Sequence, residues 1–405
     1  MVRAWGAVGL LWFVGCLNYL DRVSITTMRS SLKEEITMTD AQFGLLTTAF
    51  LVVYGVLSPL AGFLADRFSR SRTIIVSLFA WSLITWLTGH ASNFNHLLVT
   101  RALMGVSEAC YIPAALALIA DYHRGPTRSL ATGVTITGIF AGSALGGLGG
   151  LLAERYGWRL PFQLFGFVGV VYAALLLVFL RDPPRDAPKV DPELAAEPRV
   201  GLLQALTSLL SSGSFLVALL YWGLLGVAGW AVIGWMPTYL KETFNLSQGR
   251  AGMAATGFMQ TAAAVGVVLG GALADRMSRR HPRGRLLVPM FGLCVAAPAI
   301  WFASHSDLLG VALAGLMIYG LTLAFTDANM MPIVCMIADA RYRATGYGLL
   351  NCFACIVGGI TIYVGGWMRD ANLNIRSVFH FGAVCTLVCA GLLLLMRPRN
   401  AAGAS

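Results

Sequence analysis

Charge is what this chain lacks. Only 12% of its 405 residues are Asp, Glu, Lys or Arg, about half the fraction in a soluble protein. Histidine is scarcer, six residues in all. The eight cysteines, among them Cys16, Cys110, Cys335 and Cys385, fall in apolar stretches, with no metal-ligand spacing and no paired extracellular pattern. Cys352 and Cys355 form a CxxC inside such a stretch, where packing is expected rather than redox chemistry. HExxH, GxSxG and P-loop patterns are missing, as is any loop cluster of His and Asp, so neither an enzyme nor a cofactor or metal site is expected. No soluble segment is long enough for a signalling receptor. The first apolar run lacks a small-residue cleavage site, so no cleavable signal is expected.

What the chain has is hydrophobicity: 57% apolar residues and a mean hydropathy of +0.71. Apolar runs of about 20 residues recur throughout, the length that crosses a bilayer as a helix. Twelve spans are expected, near 4–28, 41–65, 73–92, 97–121, 129–152, 159–180, 212–240, 248–274, 286–303, 308–337, 343–366 and 376–396. The stretch RDPPRDAPKVDPELAAEPR, Arg181 to Arg199, is rich in proline and charge and interrupts the series. The expected architecture is all-α integral membrane: a six-helix bundle over 1–180, a linker over 181–211 and a second bundle over 212–405. The lipid bilayer is its environment, and a monomer is the simplest state.

A net charge of +10 would suggest nucleic acid in a soluble protein. Here the basic residues lie in short connections, so nucleic acid is not expected and orientation is the better reading. Of the 29 Lys and Arg residues, nineteen fall at the ends of the chain, in the linker or in the 2–3, 4–5, 8–9 and 10–11 connections. Eight fall on the opposite side, and Arg22 and Arg101 fall inside spans. Both termini should therefore be cytoplasmic, in a cell membrane of bacterial inner-membrane type.

The second span ends in GFLADRFSRSR (Gly62 to Arg72) and the eighth in GALADRMSRR (Gly271 to Arg280). A weaker echo pairs IADYHRGPTRSLATG, from Ile119, with IADARYRATGYG, from Ile337. Both recur at equivalent places on one membrane side, as parallel repeats of a transporter do. Asp66 and Asp275 stand at helix C-termini, where an anion needs nearby cations; Arg67, Arg70, Arg276 and Arg279 can supply them. With twelve spans and a central linker, these motifs resemble the major facilitator superfamily. The resemblance implies alternating access, and a cytoplasmic gate at Gly62, Asp66, Arg67, Arg70, Asp121, Arg128, Asp275, Arg276 and Asp339.

Four charges lie inside the first bundle. CLNYLDRVSI carries Asp21 and Arg22, and RALMGVSEACYIPAALALIAD carries Arg101 and Glu108. A charge at mid-bilayer costs at least roughly 2.5–3.5 kcal/mol, so two acids and two bases are expected to share a cavity. Arg101 and Glu108, two turns apart on one face, are expected to pair, leaving Arg22 for a substrate anion. Breaking a buried ion pair in one conformation can release or accept a proton. NYLDR, RxLxGxxEAxxxP and WMPTYL (Trp235 to Leu240) further resemble the anion:cation symporter branch, the organic anion:proton symporters. That resemblance implies proton coupling at Asp21, Glu108 and Arg101, with Arg22 and Arg101 facing a small organic anion such as a sugar acid. Spinster-type lipid transporters share the same four residues. LRDPPRD (Leu180 to Asp186) is closer to their pattern, GYGLLN (Gly346 to Asn351) to the organic-anion one.

Asn18, Tyr54, Gln260 and Asn351 are candidate hydrogen-bonding partners of the substrate or of neighbouring helices. Asp327 is either a second protonatable site or a residue near a water-filled mouth, and His380 is expected to be structural. GIFAGSALGGLGG (Gly138 to Gly150) repeats glycine at four-residue intervals, a smooth face for close helix contact. It resembles an antiporter motif in which proline replaces Ser143. Proton symport is thus the expected function, with a lysophospholipid carrier and an exporting antiporter as alternatives.

Overall fold

The computed structural model describes residues 2–123, 127–183, 202–281, 283–339 and 342–396, leaving aside the side chains of residues 2, 62–67, 128–129, 202–203 and 344. Among them are twelve helices long and apolar enough to cross a membrane: Arg3–Thr27, Asp40–Ala61, Arg70–Thr88, Phe94–Tyr122, Leu130–Tyr156, Arg159–Phe179, Gly213–Thr243, Gln248–Ser278, Gly284–His305, Leu309–Ile337, Thr345–Asp370 and Arg376–Leu395. They are numbered below as the first to twelfth spans. Consecutive spans run in opposite directions. One face therefore carries the ends of the chain and the even-to-odd connections, and is called the terminal face. The other carries the 1–2, 3–4, 5–6, 7–8, 9–10 and 11–12 connections, and is called the loop face.

The two halves repeat one packing scheme. The first span packs on the fifth as the seventh packs on the eleventh. The second packs on the fourth as the eighth on the tenth, and the third on the sixth as the ninth on the twelfth. Between halves, the second span lies along the eleventh, and the fifth meets the eighth. Glycine permits the closest of these approaches. A Cβ on Gly142 would lie 2.1 Å from the Cys16 carbonyl oxygen, and one on Gly366 would lie 2.2 Å from that of Asp40. The glycine-rich face of the fifth span is thus a contact surface for the first.

Three spans carry local breaks, each with a visible cause or consequence. The fourth is two helices, Phe94–Glu108 and Tyr111–Tyr122; Pro113 has no N–H to offer the carbonyl of Ala109, so the ladder fails just after Glu108. The fifth breaks at Gly146, between Arg128–Leu145 and Gly147–Tyr156. The eighth contains a π-helical turn, Ala254–Phe258. The last two breaks meet. Thr256 Oγ1 donates to the Ala144 carbonyl (3.0 Å) and accepts from the Gly147 N–H (3.1 Å), satisfying backbone groups that hydrocarbon could not. The segment expected to be linker throughout, 181–211, holds a helix over Leu202–Leu210. Ala205 and Leu209, four residues apart, bury one face against the second bundle.

Candidate functional site

The first span brings Asn18, Asp21 and Arg22 to the centre of the first bundle, with 0%, 2% and 3% exposure. Arg101 and Glu108 of the fourth span meet them there, each 1% exposed. Adjacent residues on a helix point about 100° apart, so Asp21 and Arg22 serve different neighbours. Arg22 Nη2 donates to Glu108 Oε2 at 2.8 Å, and lies 3.5 Å from Asn18 Oδ1. Its guanidinium sits over three rings: Tyr19 at 4.5 Å, Tyr54 at 4.6 Å and Phe50 at 4.8 Å. Asp21 turns the other way, where Thr85 of the third span donates to its Oδ2 at 3.3 Å.

The expected pairing of Arg101 with Glu108 is not the one formed. Seven residues along a helix is a rise of about 10 Å, too far for direct contact even on one face, whereas Arg22 reaches Glu108 from the neighbouring helix. Arg101 instead donates to Met104 Sδ (3.0 Å), with the Arg22 carbonyl at 3.5 Å, and lies 5.8 Å from the Phe50 ring. Among the described residues no carboxylate lies within ion-pair distance of it. Several buried polar atoms of the cluster lack a protein partner: Asn18 Nδ2, Asp21 Oδ1, Arg22 Nε, Arg101 Nε and Glu108 Oε1. Full satisfaction is the rule for buried polar groups, so this cluster is built for something other than stability.

The remaining candidates disperse. Tyr54 joins the cluster through its ring. Asn351 donates to Ser58 Oγ at 3.3 Å, tying the eleventh span to the second, and Gln260 is buried in the eighth. On the terminal face Arg70 pairs with Asp121. Asp275 is approached by Arg285 at 3.2 Å, not by Arg276 or Arg279: Arg285 comes from the next span, while those two follow Asp275 on its own helix end. Both of these pairs lie within one half. Asp339 caps a turn through its carbonyl, which accepts from Tyr342 N. Gly62, Asp66, Arg67 and Arg128 lie outside the described side chains.

Sequence reasoning missed a second charged cluster, on the loop face. Asp40, with 8% of its side chain exposed, accepts from Arg29 Nε (3.0 Å), from Lys33 Nζ (2.5 Å) and from Arg369 Nε (2.9 Å) of the other half. Arg369 also holds Glu242 with both terminal nitrogens, at 2.9 and 2.7 Å, and Arg29 reaches Glu242 at 3.4 Å. Asp370 accepts from the N–H groups of Asp40 and Ala41, both at 2.8 Å, placing an anion at the start of the second span where the helix dipole favours it. Lys241 donates to Ser30, and Gln248 exchanges hydrogen bonds with Ser31. The cluster joins the two halves from both sides. A cleft of about 490 Å³, lined by residues including Tyr239, Asp307, Arg369 and Arg376, opens beside it. No motif announces the cluster; its members are ordinary charges at the ends of four helices.

Two parallel repeats of one packing scheme around a buried charge cluster match what sequence comparison finds. The pattern of the Major Facilitator Superfamily covers residues 11–362. The chain belongs to this superfamily. It is a multi-pass membrane transporter, not an enzyme. It is 29% identical over 402 residues to an MFS-type efflux pump of Mycolicibacterium smegmatis, covering 97% of this chain and 91% of that one. It is 24% identical over 397 residues to the hexuronate transporter of Bacillus subtilis, covering 96% and 93%. It is 27% identical over 372 residues to protein spinster homolog 1 of Xenopus tropicalis, covering 88% of this chain and 65% of that one. The fold is that of a bacterial homolog of the human lysosomal transporter spinster, solved inward-facing and unoccupied. The TM-score is 0.77 at 23% identity, covering 97% of this chain and 95% of that one.

Proposed function

We propose that this transporter carries a small organic anion together with a proton, by alternating access. The observation that carries the proposal is Arg101, a cation 1% exposed with no carboxylate partner among the described residues. A buried charge is costly until it is paired, and the missing partner is the substrate's own carboxylate or comparable oxyanion. Arg22 is the second cation. It is held by Glu108 here, and its planar fork suits a carboxylate bidentately. A substrate anion that takes Arg22 displaces Glu108, and a displaced, buried Glu108 takes up a proton rather than stand alone. Anion and proton then travel together, and the site stays near neutrality throughout. Asp21, with only Thr85 for a partner, is the second proton carrier. The hexuronate transporter among the relatives supports an oxyanion by its name.

The terminal face is proposed as cytoplasmic because it gathers the basic residues. The Asp40–Arg369–Glu242 cluster is then the outer gate, closed here, and the GxLADR loops belong to the inner one. A bacterial inner membrane and a monomer complete the reading. The spinster relatives favour a second reading, an amphipathic lipid with an anionic headgroup on the same arginines. Thermal-shift measurements on the purified protein with glucuronate, tartrate and lysophosphatidate separate the two, because a bound ligand stabilises the native state. Stabilisation by glucuronate or tartrate supports the first reading. Stabilisation by lysophosphatidate alone replaces it with the second, and the absence of any shift overturns both.

A further inference from the structure

The six spans of the second half hold one charge away from their ends, Asp327. It stands ten residues before the end of the helix Leu309–Ile337, about 15 Å along it, or half the thickness of the hydrocarbon core. At that depth an acid facing lipid would be strongly unfavourable. Yet Asp327 is exposed, and it has no hydrogen-bond or ion-pair partner among the described residues.

The face it occupies shows where it looks. Ala324, one turn earlier on that face, shares a buried cluster with Ala263 of the eighth span and Phe140 of the fifth, at the boundary between halves. The opposite side of the helix is taken up inside its own bundle: Leu321 and Phe325 against Gly266 and Gly270 of the eighth span, Thr322 against Gly292 of the ninth. Asp327 therefore opens onto the space between the halves.

The space between the halves is thus asymmetric. The first half offers cations, and the second offers one unpaired carboxylate. A substrate that is only an anion meets repulsion from Asp327, and the repulsion is strong in a low-dielectric site. An unpaired carboxylate in such a site is the chemistry that recognises an ammonium group. We propose that Asp327 is the cation-binding residue of the space between the halves, and that the preferred substrate is an anion that also carries an amine or quaternary ammonium. The inference rests on the anion reading above and narrows it.

The experiment compares matched probes on the purified full-length protein at pH 7.5: glucuronate against 2-amino-2-deoxyglucuronate, and lysophosphatidate against lysophosphatidylcholine. The parent should bind the amine-bearing member of one pair about tenfold more tightly than its plain partner. Asp327→Asn, nearly isosteric, should remove that preference by weakening the amine-bearing probe about tenfold, leaving the plain anion unchanged or tighter. Asp327→Glu should restore the preference. Equal parental affinity for both members of each pair overturns the inference while leaving the anion reading intact, as does an Asp327→Asn protein that keeps the preference. If neither plain anion nor amine-bearing probe binds the parent, the anion reading falls and takes this inference with it.

Discussion

Replacing Asp40 by Asn should open the loop face. In the structure Asp40 takes charge-assisted hydrogen bonds from Arg29 and Lys33 of its own half and from Arg369 of the other. Only the last crosses between halves, so only it bears on closure directly. A hydrogen bond to a charged group is worth about 1.5–3 kcal/mol. The substitution also leaves Arg29, Lys33 and Arg369 facing one another with one fewer anion between them, which adds repulsion across the boundary. The closed state should therefore lose at least about 1.5 kcal/mol relative to the open one, a shift in their ratio of about tenfold or more. Asp370 and Glu242 keep their own contacts, which argues against complete opening. Distances between spin labels at exposed Thr37 and Asn245, one in each half, would report the change. A longer-distance population should appear or grow about tenfold in Asp40→Asn, and more in the Asp40→Asn, Arg369→Gln double variant, where Glu242 also loses its main partner. An unchanged distance distribution in both variants would refute the gate.

Other outcomes follow from the central cluster and the helix contacts. Glu108→Gln should lower the thermal stability, because an unpaired buried Arg22 costs about 3–5 kcal/mol. Asp21→Asn should lower it far less, since Asp21 has one neutral partner at 3.3 Å; equal melting shifts would contradict the assigned pairing. Arg101→Lys keeps the charge but loses the fork, and should weaken glucuronate binding by about 1.5–3 kcal/mol in a titration; parental affinity would remove Arg101 from the substrate site. Gly142→Ala should destabilise the first-to-fifth span contact by about 1–3 kcal/mol, the usual range for overpacking. Its Cβ would sit 2.1 Å from the Cys16 carbonyl oxygen, and an unchanged melting temperature would show that the two helices can part without cost.

Whatever depends on one helix at a time could be read in advance. Runs of apolar residues located the twelve spans to within a few residues. Glycine spacing at Gly138, Gly142 and Gly146 announced a close helix contact, though not its partner. Whatever depends on how helices are turned against one another could not be read. The choice of Arg22 over Arg101 for Glu108 is a matter of height between two neighbouring helices. The outer cluster combines Arg29, Lys33, Asp40, Glu242, Arg369 and Asp370 from widely separated segments, each unremarkable where it stands. The hydrogen bonds of Thr256 depend on two backbone breaks coming level, and nothing local to Thr256 signals that. Asp327 was visible as an isolated acid, but its outlook onto the space between halves required the cluster that Ala324 shares with Ala263 and Phe140.

The central claim is that anion and proton move together through the Arg22–Glu108 pair. Reconstituted vesicles loaded with a pH-sensitive dye, and given an inward glucuronate gradient at equal internal and external pH, test it directly. The parent protein should acidify the lumen as glucuronate enters. The Glu108→Gln variant should let labelled glucuronate exchange across the membrane while the lumenal pH stays level. Glucuronate entry without acidification by the parent, or acidification that persists in Glu108→Gln, would contradict the account.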